Sequence, residues 1–283
     1  WAVRRRGQQM ITTETTETTE ITMSVTQLSR DLRVASRTLS DAEARFLVDA
    51  YYQMQGNRIR SNNQIRSMKE EPHEVLGWLS TQADILEKSV RASLDVYSDA
   101  HPIGRRIRTV VGIGPVIAAG MIAHIDIEQA PTAGAIWRFA GLDPTAKWDK
   151  GKKRPHNAEL KTLCWKLGES FVKVSNHDDD FYGALYKTRK EIELKKNDEG
   201  LFSEQAKAKL EKYNIGKKTD AYKAYIIGKL PPAHIHARAK RYAVKIFLSH
   251  LHEVWYQHEF DKLPPAPYVM VHEGHAHKIE PPF

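Results

Sequence analysis

A short basic stretch, "AKWDKGKKRPHN" (residues 146–157), combines residue types that bind phosphate groups. A single carboxylate, Asp149, opposes its cations, and Gly151 argues against a solvated helix face. Each contact between a clustered cation and a phosphate releases counterions, so the stretch predicts salt-sensitive binding of a polyanion. Trp148 is expected either to stack on an exposed base or to anchor the loop in the core. The cations are Lys147, Lys150, Lys152, Lys153 and Arg154.

Two glycines, Gly112 and Gly114, interrupt the apolar run "RTVVGIGPVIAAGMIAHI" (residues 108–125). A glycine costs ~1 kcal/mol in a helix interior relative to alanine, so the pair indicates a turn. Pro115 suits the first position of a following helix. The pattern predicts a helix-hairpin-helix, whose main-chain amides can approach a phosphate without reading base sequence. The alternative is a turn that only connects two core helices.

The composition excludes several classes of protein. The chain has 283 residues and a formal net charge of +8, which favours polyanionic partners where the charge is clustered. One cysteine, Cys164, excludes an internal disulfide framework and is expected to be packed in the core. No apolar run approaches the ~18 residues of a membrane span. We therefore expect a cytoplasmic protein with no membrane partner.

The wider pattern predicts an all-α fold, because no stretch alternates with period two for long enough to require a sheet. Two helices are expected between Ser24 and about Gln55, with Ser40 as the cap of the second. The next helix carries apolar residues at steps of four and three, as in a coiled coil or antiparallel helical hairpin. Two further amphipathic helices, near 157–174 and 233–258, predict a C-terminal helical bundle. The seam residues are Val75, Leu79, Ala83, Leu86, Val90, Leu94 and Tyr97.

Histidine clusters raise the question of a metal site. A zinc hydrolase needs two helical histidines four residues apart with a glutamate between them, but Tyr256 stands where the partner of His252 is required. We therefore predict no metal and no cofactor. Asp178 to Asp180 are read as a helix cap and its acidic neighbours. The histidines considered are His250, His252, His258, His272, His275 and His277.

Several strings together resemble a known family, the C-terminal transposase domain of the insertion-sequence transposases of the IS110, IS116 and IS902 group. The resemblance extends over roughly residues 75–256 and agrees in order and spacing. It implies DNA transposition guided by a structured bridge RNA, with four acidic metal ligands in an N-terminal RuvC-like domain and a serine nucleophile in the C-terminal domain. The strings are "VVGIGPVIAAGMIAHI", "IWRFAGLDP", "NAELKTLCWKLGESFV" and "ARAKRYAVKIFLSHLHEVWY".

The sequence departs from this family at both catalytic centres. Residues 1–72 show helical patterns and no strand with an acidic residue, so we expect no RuvC-like domain there. After the Gly-Leu-x-Pro turn, Asp149 or Lys150 stands where the family has its serine. Thr145 is a substitute nucleophile to which the sequence assigns no base. We therefore predict no catalytic residues and a transposase-like, nucleic-acid-binding protein of DNA recombination or a mobile element.

The predicted partners are DNA, with structured RNA left open, and further copies of the chain through the seam. Two other functions also stay open: an assembly protein that polymerises through the seam and its Thr-rich arm, and a transposase whose acidic site comes from a partner. The predicted segments are a flexible Thr-rich arm (1–23), a helical segment (24–72), a coiled-coil-like helix (73–102), a helix-hairpin-helix transposase-like domain (103–262) and a loosely ordered Pro/His-rich tail (263–283).

Overall fold

A computed structural model of the protein confirms the all-α fold class. Within the described part of the chain, every regular element is a helix. The predicted Thr-rich arm lies wholly outside that part, as do Lys150 and three tail histidines, His272, His275 and His277. The described ranges are 26–68, 73–149, 151–265 and 278–283.

The helices are numbered in chain order. None of those described is both long and apolar enough to cross a membrane. Their bounds are α1 Arg30–Ala35, α2 Asp41–Ser67, α3 Glu74–Ala100, α4 Pro102–Ile107, α5 Pro115–His124, α6 Ala133–Phe139, α7 Ala158–Val174, α8 Phe181–Asp198, α9 Ser203–Lys212, α10 Asp220–Ile226 and α11 Pro232–Phe260.

Helices α2 and α3 form an antiparallel hairpin. Ser40 caps α2 as predicted, in a capping box with Glu43. The start of α2 meets the end of α3, where the Tyr97 hydroxyl donates to Asp41, 2.8 Å away. Helix α2 runs on to Ser67, beyond the predicted end near Gln55. Arg58 explains the extension, because its guanidinium pairs with Glu87 of α3 at 2.5 Å and ties the basic half of α2 to its neighbour.

Helix α5 lies at the centre of the molecule, packed against α2, α3 and α7. Its Gly120 allows the Leu163 side chain of α7 to approach, since a Cβ there would lie 2.6 Å from a leucine methyl carbon. Nearer the C-terminal end of α7, the rings of Phe171, Tyr182 and Phe247 join α7, α8 and α11, with the first two stacked at 4.9 Å. The predicted amphipathic face of α7 is therefore the core of a C-terminal bundle.

Two features differ from the expected local structure. Helix α6 forms in the Pro- and Gly-punctuated stretch after Pro131, because Thr132 caps it and the Trp137 indole donates to the Lys245 carbonyl of α11 at 3.1 Å. At the end of the chain, residues 278–283 lie against α11, where Phe283 contacts Phe247. Three of these six residues, including Phe283, are thus partly buried, so this end of the predicted tail is in part packed; residues 266–277 lie outside the described ranges.

Candidate nucleic-acid interface

The glycine turn joins α4 to α5, and its first glycine faces the protein interior. Gly112 has φ +92°, a left-handed conformation that favours glycine. A Cβ at this position would lie 3.1 Å from the Val174 side chain of α7, and the Ser170 hydroxyl donates to the Gly112 carbonyl at 2.6 Å. Gly112 therefore shapes the turn and docks it on α7, and it offers no open approach on that side.

Gly114 is the open glycine of the pair. It is exposed, it is the N-cap of α5 in an extended conformation (φ −88°), and Pro115 follows at the first helical position as predicted. No atom lies within 4 Å of the position that a Cβ would take. No side chain caps the free amides of the first turn of α5. The side of the turn at Gly114 is therefore free of side chains from the described residues, in contrast to the side at Gly112.

Two arginines next to the turn were missed by the sequence analysis. Arg105 and Arg106 end α4, are exposed, and make no ion pair with any residue that the structure describes. Arg108, by contrast, is held by Asp95 at 2.5 Å and by Asp99 at 3.6 Å. The run "RRIR" was the available signal, but its spacing could not say which arginine is neutralised. The structure therefore adds two exposed cations to the surface around the turn.

The basic loop is organised around Trp148, which is 53% exposed. Its indole nitrogen donates to the Lys152 carbonyl at 2.8 Å, and the Lys152 amide donates to the Asp149 carbonyl at 3.1 Å. The Arg154 guanidinium lies over the indole ring, 5.3 Å from its centroid. Trp148 thus stabilises the loop through a hydrogen bond to the loop's own backbone. The expectation that Trp148 anchors the loop in the protein core is wrong.

The described cations of this loop are available to a partner. All are exposed, and none forms an ion pair with a described residue. The carboxylate of Asp149, the acidic residue among them, forms no ion pair with the described cations. The loop therefore presents unneutralised positive charge on a partly fixed backbone. These cations are Lys147, Lys152, Lys153 and Arg154, while Lys150 lies outside the described residues.

The two ends of the loop are fixed at the end of α6. Gly141 is left-handed (φ +67°), and a Cβ there would lie 2.8 Å from the His156 ring, so only glycine fits. The Asn157 amide donates to the Phe139 carbonyl at 2.9 Å and brings the chain back before α7 begins. Burial, followed by the charges of Lys161 and Arg154, lowers the pKa of His156. His156 is therefore a neutral packing residue at pH 7.

The turn and the loop lie at opposite ends of α7. Gly112 contacts α7 at Ser170 and Val174, near its C-terminal end, whereas the loop leads into its N-cap, Asn157. At 1.5 Å per residue, the distance along the helix from Asn157 to Ser170 is ~20 Å. One phosphate group cannot contact both, although an extended polyanion can. The structure thus separates two features that the sequence analysis treated as one site.

Thr145, the substitute nucleophile, lies beside a carboxylate that the sequence analysis did not assign to it. Its hydroxyl donates to Asp143 at 2.7 Å and its amide donates to the same oxygen at 2.8 Å, which closes a local turn. These hydrogen bonds lower the pKa of Asp143. A carboxylate stabilised in this way is a weaker base, so the arrangement favours a structural role for the pair.

Two histidines of α11, His250 and His252, are buried in the core, whereas His258 on the same helix is exposed. The Tyr182 hydroxyl donates to His250 at 2.7 Å, and the other ring nitrogen of His250 donates to the Ile279 carbonyl at 2.7 Å. His252 bonds in the same way to the Ala130 carbonyl, at 2.8 Å. No group of three histidine, cysteine or acidic side chains arranged to hold a metal occurs among the described residues. Cys164 is buried, as expected.

Comparison with known proteins supports the family resemblance over part of the chain. Residues 104–182 match the sequence model described as "Transposase IS116/IS110/IS902 family". The match starts in α4, contains the glycine turn and the basic loop, and ends in the first turn of α8. No curated protein and no solved structure matches the chain. The chain is therefore transposase-like over this segment, which relates it to proteins of mobile elements and DNA recombination.

Proposed function

We propose that this protein binds the sugar–phosphate backbone of nucleic acid in DNA transposition or a related mobile-element process, without catalysing strand transfer itself. The basic loop is the main contact, and the glycine turn acts as a helix-hairpin-helix that contributes a second one. DNA is the expected ligand, and structured RNA can use the same contacts because they are made to phosphates. The family's serine position, occupied here by Asp149 or Lys150, supports a non-catalytic role.

The observation that carries this proposal is that the basic loop combines unpaired cations with a hydrogen-bonded backbone. Its four described cations have no acidic partner among the described residues, and hydrogen bonds from Trp148 and Lys152 fix the backbone between them. A cation already held near its working position loses less conformational entropy on binding. The exposed part of the Trp148 ring can add stacking on an unpaired base. Such a loop favours a flexible polyanion of any base sequence.

Replacing Lys152, Lys153 and Arg154 by alanine is expected to weaken binding to a labelled oligonucleotide of random sequence. Three lost phosphate contacts correspond to a decrease of ~2 to 3 in the slope of log K against log salt, and to at least about tenfold in affinity near physiological salt. Fluorescence anisotropy across a salt series measures both quantities. The same titration with duplex DNA, single-stranded DNA and hairpin RNA ranks the ligands.

The matched control for this experiment removes the same charge elsewhere. Lys207, Lys217 and Lys218 are exposed and form no ion pair with a described residue, so their alanine variant lowers the net charge equally. This control is expected to keep nearly all of the affinity and the slope. If both variants lose the same affinity, the loop contributes only through the overall positive charge of the protein. If the loop variant binds as the unmodified protein does, the loop does not bind nucleic acid.

The contribution of the glycine turn is tested by Gly114→Ala. The added methyl group meets no protein atom within 4 Å, so the fold should lose no more than ~1 kcal/mol from the poorer N-cap. The methyl nevertheless occupies the space through which a phosphate would reach the amides of α5. Affinity for the same oligonucleotide is expected to fall about three- to tenfold, as befits one lost hydrogen-bonded phosphate contact. Gly56→Ala, equally unhindered on α2, is the control, and equal affinity of both variants would limit the turn to a structural role.

An oligomer is proposed on a separate observation, the exposed tip of the α2–α3 hairpin. The predicted seam is buried near the end of α3, at Leu94 and Tyr97, but Val75 and Leu79 are 57% and 47% exposed and Trp78 beside them is 52% exposed. Apolar residues in this number at one end of a hairpin favour contact with a second copy of the chain. The same surface supports the alternative function of an assembly protein. Polymers that form at high salt and without nucleic acid would favour that alternative, because salt screens phosphate contacts and not apolar ones.

A further inference from the structure

Three cations of α11 and α6 form a surface that the sequence analysis did not detect. On α11, Arg241 and Lys245 are four residues apart and therefore share a face, on which Arg238 also lies. From α6, Arg138 lies near the Asp143 carboxylate, on which Lys245 also acts. We call Arg138, Arg241 and Lys245 the α6–α11 surface.

This surface carries charge that the described residues do not neutralise. No acidic side chain in the described ranges forms an ion pair with any of its three cations, whereas neighbouring Arg238 pairs with buried Glu193 at 2.7 Å. Burial, followed by the charge of Arg238, lowers the pKa of Arg241. Burial also lowers the pKa of Lys245, and repulsion from Arg241 adds to that effect against the attraction of Asp143. An anion bound here would stabilise the charged forms of Arg241 and Lys245 and so oppose both decreases in pKa.

The Lys245 ammonium group is held in place without being neutralised. It lies 3.9 Å from the centre of the Trp137 ring, and the Trp137 indole nitrogen donates to the backbone carbonyl of the same lysine. A contact with the face of a ring orients a cation and leaves N–H donors for oxygen acceptors. The half-buried lysine is thus positioned in advance for a ligand that supplies such acceptors.

The dimensions and position of the surface favour a polymer over a small anion. Arg241 and Lys245 are separated by ~6 Å of helix rise, and one strand of DNA advances ~3.4 Å per nucleotide, so the pair spans about two nucleotides. Asp143 borders this surface, and Lys147, the first cation of the basic loop, follows four residues later in the chain. The loop then returns to the end of α6 at Phe139, next to Arg138. The two cationic regions are therefore adjacent.

We propose that the α6–α11 surface is a second phosphate-binding region, along which a nucleic-acid strand held by the basic loop continues over α11. This inference deepens the proposed function and rests on it. Two of its three residues, Arg241 and Lys245, lie beyond position 182, outside the segment that matches the transposase family. Binding should consequently depend on ligand length, because a strand just long enough to contact the basic loop does not reach α11, whereas a longer strand does.

The test is the double variant Arg138→Gln/Arg241→Gln, which leaves Lys245 on its tryptophan and changes two exposed side chains. With single-stranded DNA of about 20 nucleotides, the salt slope is expected to fall by ~1.4 and the affinity by about five- to tenfold. With an oligomer of about four nucleotides, which the loop alone can hold, the affinity should change less than twofold. Lys217→Gln/Lys218→Gln is the control of equal charge, and thermal melting of all variants checks that they fold.

The outcomes separate this inference from the proposed function. If the loop variant binds weakly and the α6–α11 variant binds like the control, the inference is wrong and the proposed function stands. If the α6–α11 variant alone binds weakly, the loop loses its role, and the inference that a strand continues from the loop over α11 is wrong as well. Normal binding by both variants overturns both proposals. Competition by polyglutamate as effective as that by DNA of equal charge would show an acidic protein as the occupant, and would overturn the inference.

Discussion

Gly104→Ala is expected to lower the melting temperature by roughly 6–12 °C. A Cβ at this position would lie 3.0 Å from the Ser98 carbonyl carbon, and closer still to its oxygen. Both atoms belong to the backbone of α3, so no side chain can rotate away. Overpacking of this kind costs ~3 kcal/mol or more, and each kcal/mol shifts the melting temperature of a chain of this size by ~2–4 °C.

The close approach of α4 to α3 explains why this position needs glycine. Arg108, just beyond α4, reaches back to the Asp95 carboxylate, so the start of the glycine turn is fixed to the end of the hairpin. Gly77→Ala on α3 is the matched control, because nothing lies within 4 Å of its added methyl and alanine favours a helix by ~1 kcal/mol. Equal melting temperatures for the two variants would contradict the close approach.

Glu193→Ala is expected to destabilise the C-terminal bundle by ~3 kcal/mol. The carboxylate is 1% exposed and is shared by two arginines, Arg189 at 2.6 Å and Arg238 at 2.7 Å. Its removal leaves two guanidinium groups without their carboxylate at the α8–α11 contact. Both guanidinium groups retain some access to water, which keeps the cost below that of a fully buried pair. Urea unfolding at pH 7 measures the loss.

The same carboxylate gives the bundle a dependence on acid. Burial raises the pKa of Glu193. The hydrogen bond and charge of Arg238, together with those of Arg189, lower this pKa by more than burial raises it, so the net shift is downward. The stabilisation is therefore fully present above the unfolded-state pKa of ~4.3 and is lost as the pH falls through the lower folded value. Glu193→Gln should flatten this acid limb. Glu191→Gln, an exposed change on the same helix, should leave it intact, and identical acid limbs in both variants would exclude Glu193 as its source.

Helix starts and helix faces could be predicted from the sequence because both depend on neighbouring residues. Ser40 and Asp180 cap the helices where their side chains reach amides three residues ahead. The burial of Leu160, Leu163 and Leu167 follows from the helical period. The glycine turn was also found in this way, since Pro115 and two close glycines specify it locally. Helix α6 was missed because seven residues are too few for a period to show.

The sequence determined that this chain is all-α, carries a Gly-x-Gly turn and a basic loop, and contains a segment similar to a transposase family. Only the tertiary structure decided how these features lie relative to one another. It placed Gly112 against α7 while leaving Gly114 open, exposed Trp148, separated the turn from the loop by the length of α7, and brought Arg138 and Lys245 to the same carboxylate, that of Asp143. The physical reason is that capping and periodicity act over a few residues, whereas the position of a charge beside another depends on how whole helices pack.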